Sequence, residues 1–283
     1  MKPLTELQAA DSYCRYLTNH HYENFSVASL LLPSDIRLHL ARLYAYCRTT
    51  DDLGDESGQD ALSRLATWRS QVEGCFVAGP APVHPVLIAL SHTVQECHLP
   101  PEPFLDLIAA NVQDQTVSEY ETWDDLRDYC LLSAAPVGRL VLRIWSVHDR
   151  HLERLSDDVC IGLQLANFAQ DVLVDGGKQR TYLIQEELSA YGMNGAVEAL
   201  CERAAGLLAS GRELETLVPR RLRTQLALYR LGGMAILSAI ARIGYRTDQQ
   251  RPHLSGMTKL GLVAHAVAAS GRSRRYVSAK EAA

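Results

Sequence analysis

Asp51-Asp52-Leu53-Gly54-Asp55 and Asp171-Val172-Leu173-Val174-Asp175 repeat one arrangement, carboxylates four residues apart, in two separate stretches of the chain. On a helix this spacing puts both members of a pair on one face. Like charges one turn apart destabilise a helix by about 0.2–0.5 kcal/mol unless something neutralises them. Two such stripes facing each other across a helical bundle would hold hard divalent cations, and the cations would hold a phosphorylated substrate. A lone D-x-x-x-D stripe is ordinarily a solvated face, so the recurrence carries the argument.

The neighbours on each stripe sharpen the reading. With Arg48 set to zero, Tyr44 falls at about −40°, Asp51 at about −60°, Asp52 at about +40° and Asp55 at about −20°. One face therefore carries a phenol, a guanidinium and three carboxylates. With Gln164 at zero, Asn167 falls at about −60°, Asp171 at about −20° and Asp175 at about +20°. Leu163, Leu165, Phe168 and Val172 supply apolar surface elsewhere on that helix. Mg²⁺ keeps several waters and is shared between one or two carboxylates and substrate phosphates. There it would offset the charge of a departing diphosphate. Arg180, after Gly176-Gly177-Lys178, would add a planar, permanently charged donor to the same anion. Apolar helices around the stripes would give a carbocation a dry place to rearrange.

The elements that must position these groups read as helices almost throughout, with β-branched alternation nearly absent. Pro33 and Ser34-Asp35 predict an N-cap before a helix running from Arg37 to Asp55. Further helices are expected at Ala61 to Phe76, His84 to Glu96, Phe104 to Thr116, Thr122 to Leu132, Val137 to His148 and Asp157 to Asp175. A short one at Gln185 to Leu188, then Met193 to Val218, Pro219 to Gly244 and Gly256 to Ala269 complete the series, with a frayed tail beyond Gly271. No repeat, linker or charge block interrupts them. The expectation is one all-α domain over residues 1–283.

With 283 residues, 47% of them hydrophobic, the chain can bury a sizeable core. Its net charge of −5 argues against a nucleic-acid partner. Seven scattered cysteines without a C-x-x-C pair suit reduced thiols in a cytoplasmic protein. The start lacks the apolar core of a signal peptide. The longest apolar run, Leu231 to Ala241, is too short to span a bilayer and reads as a buried or pocket-lining helix.

These residues resemble the squalene/phytoene synthase family, the head-to-head isoprenyl diphosphate synthases. His21-Tyr22-Glu23-Asn24-Phe25 through Leu43-Tyr44-Ala45-Tyr46-Cys47-Arg48-Thr49-Thr50-Asp51-Asp52 is similar to the family's first signature. Tyr129 followed by Ala134-Ala135-Pro136-Val137-Gly138 is similar to its central element. Gln164-Leu165-Ala166-Asn167-Phe168-Ala169-Gln170-Asp171, with Arg180-Thr181-Tyr182-Leu183, is similar to its second signature. The resemblance implies an isoprenoid-synthase helical bundle with a central apolar cavity, Mg²⁺ as cofactor, and an isoprenoid diphosphate substrate of farnesyl size or larger. It implies Asp51, Asp52, Asp55, Asn167, Asp171 and Asp175 around the metal, and Tyr44, Arg48 and Tyr129 as catalytic groups. His21, Phe25, Val137, Gln164, Arg180, Tyr182 and Tyr245 would border the substrate. Gln179 stands where the family has Gly before the Arg, and Ile184 where Pro follows Tyr-Leu; both departures bear on loop geometry. Within the family, the opening His-Tyr-Glu-Asn-Phe and the Ala-Asn-Phe-x-Gln-Asp run look most like the hopanoid-pathway branch. That branch ionises presqualene diphosphate and quenches the cation with water. Condensing siblings are the first alternative, and a helical assembly protein without catalysis the second. An insoluble product would also bring peripheral contact with a membrane.

Other polar groups have plainer readings. His20 and His21 diverge by about 100° and do not share a ligand sphere. His148 and His151 read as a solvated face, and Trp123 and Trp145 as core. Arg251 and Lys259 read as surface charge that could also close over a diphosphate, and Cys47 as a packing residue.

Overall fold

The computed structural model describes residues 5–21, 32–77 and 81–270, the side chains of His21, Ala269 and Ser270 excepted. Among the described residues the fold is all-α, as the periodicity predicts. The β-type pairing there is an isolated bridge between Tyr120 and Ile184. The tail beyond Gly271, expected to fray, lies outside the described residues. Two compact units are interleaved along the chain: Met1–Val117 with Pro136–His148, and Ser118–Ala135 with Asp149–Ala283.

The first unit contains α1 (Glu6–His21), α2 (Ser34–Asp55), a 3-10 turn (Gly58–Asp60), α3 (Ala61–Glu73), α4 (Pro85–Glu96), α5 (Glu102–Gln113) and most of α7 (Ala135–Ile144). Helix α2 is central, packing on α1, α3, α4 and α5. Its two faces have opposite chemistry. Tyr46 and Thr50, at about 160° and 200° from Arg48, are fully buried. The Tyr46 hydroxyl donates to the Phe104 carbonyl at 2.7 Å, and Trp68 Nε1 donates to the Thr50 hydroxyl at 2.9 Å. Anchoring that side turns the acidic side away from the unit's core. Arg42 is also buried, and a buried charge persists only when paired and hydrogen-bonded. Its Nε and Nη2 donate to the two carboxylate oxygens of Asp11 on α1 at 2.8 and 3.1 Å, and its Nη1 to Thr93 on α4 at 3.2 Å. One guanidinium thus ties three helices together.

The second unit contains α6 (Trp123–Ser133), α8 (Arg150–Gly177), α9 (Gln185–Leu217), α10 (Arg220–Arg242) and α11 (Gly256–Ser270). Helix α8 packs on α6, α9 and α10. Its close approach to α9 depends on Gly162. A Cβ there would meet Leu208 Cγ at 3.0 Å and the backbone at Ala204 O and Leu208 N at 3.1 Å. Two kinks interrupt the long helices, at Asp171 (φ −103°, ψ 15°) in α8 and at Gly192 (φ 68°, ψ −179°) in α9. The Gly192 conformation is open to glycine because it has no Cβ.

Several sequence expectations change in detail. The sequence reading assigned no helix to Glu6–His21, where α1 forms. Ser34 and Asp35 lie in the first turn of α2, with Pro33 at the N-cap position. Helix α8 starts at Arg150 and not near Asp157, because the Asp149 side chain accepts from the backbone N–H of His151 and Leu152 at 2.7 and 3.2 Å. The segments expected at 185–188 and 193–218 form one element across the Gly192 kink. Leu231–Ala241, read as too short to span a bilayer, belongs to the 23-residue α10, which is long and apolar enough by length and composition. That helix also buries Leu222, Arg223, Gln225 and Leu226, as a core helix does.

Gly162→Ala forces α8 and α9 apart against backbone atoms, so it should lower unfolding stability by about 1–3 kcal/mol. Gly233→Ala, where a Cβ meets only the ends of the Leu163 and Leu208 side chains at 2.9 Å, should cost less. Chemical denaturation of both variants checks the order.

Candidate active site

The first acidic cluster occupies the last turns of α2. Asp51 and Asp55 are exposed, and Asp52 and Arg48 are half-buried. Arg48 Nη2 lies 2.5 Å from Asp52 and 3.8 Å from Glu56. Asp52, expected beside the metal, is therefore engaged by Arg48 one turn earlier. The Arg48 Nε is buried and has no hydrogen-bond partner among the described residues. Asp51 is held from α5, where Asn111 Nδ2 donates to its Oδ1 at 3.2 Å and to the Leu107 carbonyl at 3.1 Å. Gly54 makes room for this contact, since a Cβ there would lie 2.6 Å from Asn111 Oδ1. Gln115 Nε2 donates to the Gly54 carbonyl at 3.2 Å.

Asp51 reaches solvent while protein crowds it on most sides. Desolvation pushes its pKa up to about 6, against the opposing hydrogen bond from Asn111, with Asp55 and Asp52 adding repulsion and Arg48 attraction. Burial likewise raises the Tyr44 phenol, against the opposing pull of Arg48 and with the charges of Asp51 and Asp52 adding to the rise. Cys47 is raised chiefly by burial, which fits its reading as a packing thiol. Cys14 and Cys130 are buried thiols pushed up to about 12 for the same reason.

The second cluster closes α8. Asp171 sits at the kink, so the even 100° stepping assumed from sequence breaks between Asp171 and Asp175. Arg251 grips it with two hydrogen bonds, Nε to Oδ1 at 2.5 Å and Nη2 to Oδ2 at 3.1 Å. The adjacent residue repeats the attachment, as Gln170 Nε2 donates to the Pro252 carbonyl at 2.7 Å. Gln164 is half-buried and Asn167 exposed on the same helix.

Beyond Asp175 the helix ends in a 6→1 and 5→2 pair of backbone hydrogen bonds, Arg180 N to Asp175 O at 3.0 Å and Gln179 N to Gly176 O at 3.1 Å. That motif requires a left-handed residue, and Gln179 takes φ 58°. The departure from glycine noted in the sequence falls on this residue. Ile184, the other departure, has φ −68°, a value proline would also hold. The turn carries Arg180 back beside Asp175, and both line a cavity of about 420 Å³. Phe168, Tyr182 and Met193 form part of its apolar wall. Tyr182 stacks on Phe168 with centroids 3.9 Å apart, and Tyr129 and Tyr120 lie 5.6 and 5.9 Å from Tyr182.

The second unit thus brings together Asp175, Arg180 and Tyr182 at the cavity, with Tyr129 in the aromatic stack behind. Val137, expected to border the substrate, belongs to the first unit. Phe25 and the His21 side chain lie outside the described residues. Tyr245, expected at the diphosphate, has its phenol raised by burial first and then by the nearby Glu198 carboxylate.

Sequence reasoning missed Asn111, Tyr120 and Asp248, and gave Arg251 no link to Asp171. Asp248 lines the cavity, and its Oδ1 is buried without a hydrogen-bond partner among the described residues. The donors in both clusters are oxygens, which suits a hard cation. Among the described residues no three His, Cys, Asp or Glu side chains gather closely enough to enclose an ion unaided. The carboxylates present fit Mg²⁺, which leaves other positions to water and phosphate.

The second unit thus sets an acidic residue and an arginine at one aromatic-walled cavity on an all-α scaffold. The chain belongs to the squalene/phytoene synthase family, whose sequence model matches residues 18–258. It is 31% identical over 273 residues to the hydroxysqualene synthase of Rhodopseudomonas palustris, covering 89% of this chain and 88% of that protein. It is 29% identical over 217 residues to the phytoene synthase of Arthrospira platensis, covering 69% and 70% respectively. The crystal structure of squalene synthase HpnC from Alicyclobacillus acidocaldarius aligns with a TM-score of 0.80 at 44% identity, covering 86% of this chain and 97% of that one. The chain is accordingly an enzyme of the head-to-head isoprenoid synthase family.

Two outcomes follow from the local geometry. Gln179→Gly relieves a left-handed side-chain residue and should raise stability by about 1 kcal/mol, read by thermal or chemical unfolding. Asn111→Leu removes the donor that stabilises ionised Asp51, so in metal-free protein the Asp51 midpoint should move above about 6, read by carboxyl NMR titration. The sign for stability is fixed: an Asp pKa above its unfolded value of about 3.9 means stability is lost as pH rises from about 4 through 6.

Proposed function

We propose that this enzyme ionises presqualene diphosphate and captures the rearranged cation with water, giving hydroxysqualene and diphosphate. The observation that carries the reading is the cavity of the second unit, where Asp175 and Arg180 stand against the Phe168 and Tyr182 rings. A phosphate end and a cation-tolerant apolar wall are what a diphosphate ionisation needs. The near full-length likeness to a hydroxysqualene synthase supports this branch over its siblings.

Asp51 and Asp55 on α2, and Asp171 and Asp175 with Asn167 on α8, would hold Mg²⁺. When bound, Mg²⁺ offsets the negative charge of the leaving diphosphate. Arg180 would orient that diphosphate through its planar donors. Asn111 fixes the direction of Asp51, and Arg251 that of Asp171. The carbon–oxygen bond of the substrate breaks with its electron pair leaving on the diphosphate. The face of the Tyr182–Phe168 stack offers the carbocation quadrupolar stabilisation and excludes bulk water. A water molecule directed by Tyr44 or Tyr129 then forms the new carbon–oxygen bond and sheds a proton.

A condensing enzyme acting on farnesyl or geranylgeranyl diphosphate is the second reading, favoured by the likeness to phytoene synthase. Incubation with presqualene diphosphate and Mg²⁺, without reductant, separates the two by mass spectrometry. The proposal expects hydroxysqualene. Condensation of farnesyl diphosphate with no turnover of presqualene diphosphate assigns the sibling activity. Asp175→Asn should lower kcat/KM on the order of a hundredfold or more, the range for losing one preorganised electrostatic group.

A further inference from the structure

The loop between α10 and α11 is held at both ends. Helix α10 closes with a 6→1 and 5→2 pair of backbone hydrogen bonds, Tyr245 N to Ile240 O at 3.2 Å and Gly244 N to Ala241 O at 3.0 Å. Gly244 takes the left-handed φ of 65° that this ending requires. Gln249 N and Gln250 N both donate to the Arg246 carbonyl at 3.2 Å, which folds the chain tightly around Thr247 and Asp248. Thr247 is fully buried. At the far end Arg251 holds Asp171, and the Pro252 carbonyl accepts from Gln170, so the loop is tied to α8. A segment fixed in this way carries Asp248 to the cavity of Asp175, Arg180 and Tyr182.

The Asp248 side chain has an unmet need there. Its Oδ1 is buried yet accepts no hydrogen bond among the described residues. Leaving such an acceptor unpaired costs about 1–3 kcal/mol, and more for a charged one, so folding gives no reason for a carboxylate at this wall. Arg180 lines the same cavity but donates nothing to this oxygen. An ionised diphosphate has no donor and repels a carboxylate, and an isoprenoid chain has no donor either. Water has one, and about 420 Å³ leaves room for it. Thr181 offers a second polar contact on the same wall: its Oγ1 accepts from the Leu183 N–H at 3.3 Å, which leaves the hydroxyl hydrogen to donate. Water that adds to a carbocation must also lose a proton, and a neutral phenol, whose own pKa is about 10, is a poor acceptor for it. We propose that Asp248 holds the water that captures the carbocation and takes up the proton it sheds, an assignment that rests on the hydroxysqualene reading above. A lone pair of the water forms the new carbon–oxygen bond. One O–H bond of the resulting oxonium then breaks, its electron pair stays on oxygen, and the proton passes to the Asp248 carboxylate. Product release returns that proton to solvent. Without this acceptor the cation ends otherwise, by proton loss from a neighbouring carbon to an alkene or by water addition at other carbons.

The test counts product against ionisation. Diphosphate released and hydroxysqualene formed are measured together, from presqualene diphosphate and Mg²⁺, for wild type, Asp248→Asn and Asp248→Leu. Wild type should form one hydroxysqualene per diphosphate. In both variants that ratio should fall by about tenfold or more, with alkenes or isomeric alcohols making up the difference. Asp248→Leu should melt at or above the wild-type temperature, since it removes an oxygen that the protein leaves unpaired. The proposal is overturned if either folded variant keeps the wild-type ratio, whatever its rate. A lower melting transition of the Leu variant also overturns it, because protein groups would then satisfy the carboxylate. Wild type that leaves presqualene diphosphate untouched overturns the hydroxysqualene reading itself, before any variant is compared, so the two failures are distinct.

Discussion

Negative charge is concentrated in this protein where a helix tolerates it least. Asp51, Asp52 and Asp55 end α2, and Asp171 and Asp175 lie near the end of α8; neither helix has a basic residue in its last turn. A helix C-terminus carries a partial negative charge of its own, so these carboxylates oppose both one another and the macrodipole. Local stability would place lysines there. A cation bound there would relieve both repulsions at once.

Each unit limits that cost with one arginine. Arg48 takes Asp52 from the preceding turn, and Arg251 takes Asp171 from far along the chain. A carboxylate gripped by a guanidinium is oriented and partly neutralised. The same economy shows in Asp51, where Asn111 supplies a donor without supplying a positive charge. The carboxylate is steadied, yet its affinity for protons remains raised by its surroundings.

Sequence alone disclosed the parts of this arrangement governed by residues close together in the chain. The acidic stripes and the Thr122 start of α6, with its reciprocal bonds to Asp125, follow from spacing and capping chemistry. Helix α1 escaped because its buried positions include small residues, Ala10 and Cys14, which give a faint apolar period. The Gly192 kink escaped because a glycine inside a helical pattern reads as a boundary. Asn111, Arg251 and Asp248 escaped for another reason. Their meaning depends on partners distant in sequence, which no window on the chain contains. The second stripe and the loop after it pointed to Asp175 and Arg180 separately, and the left-handed turn at Gln179 explains how they come to line one cavity.

The Asp11–Arg42 pair makes the leading helix indispensable to the interior of its unit. Arg42 is almost entirely enclosed, and the carboxylate that balances it comes from α1. Shortening the chain past Asp11 would strand a permanently ionised group among apolar side chains, with Thr93 as its remaining neutral acceptor. Trimming from the front is therefore a core mutation in disguise, although the deleted helix lies at the edge of the sequence.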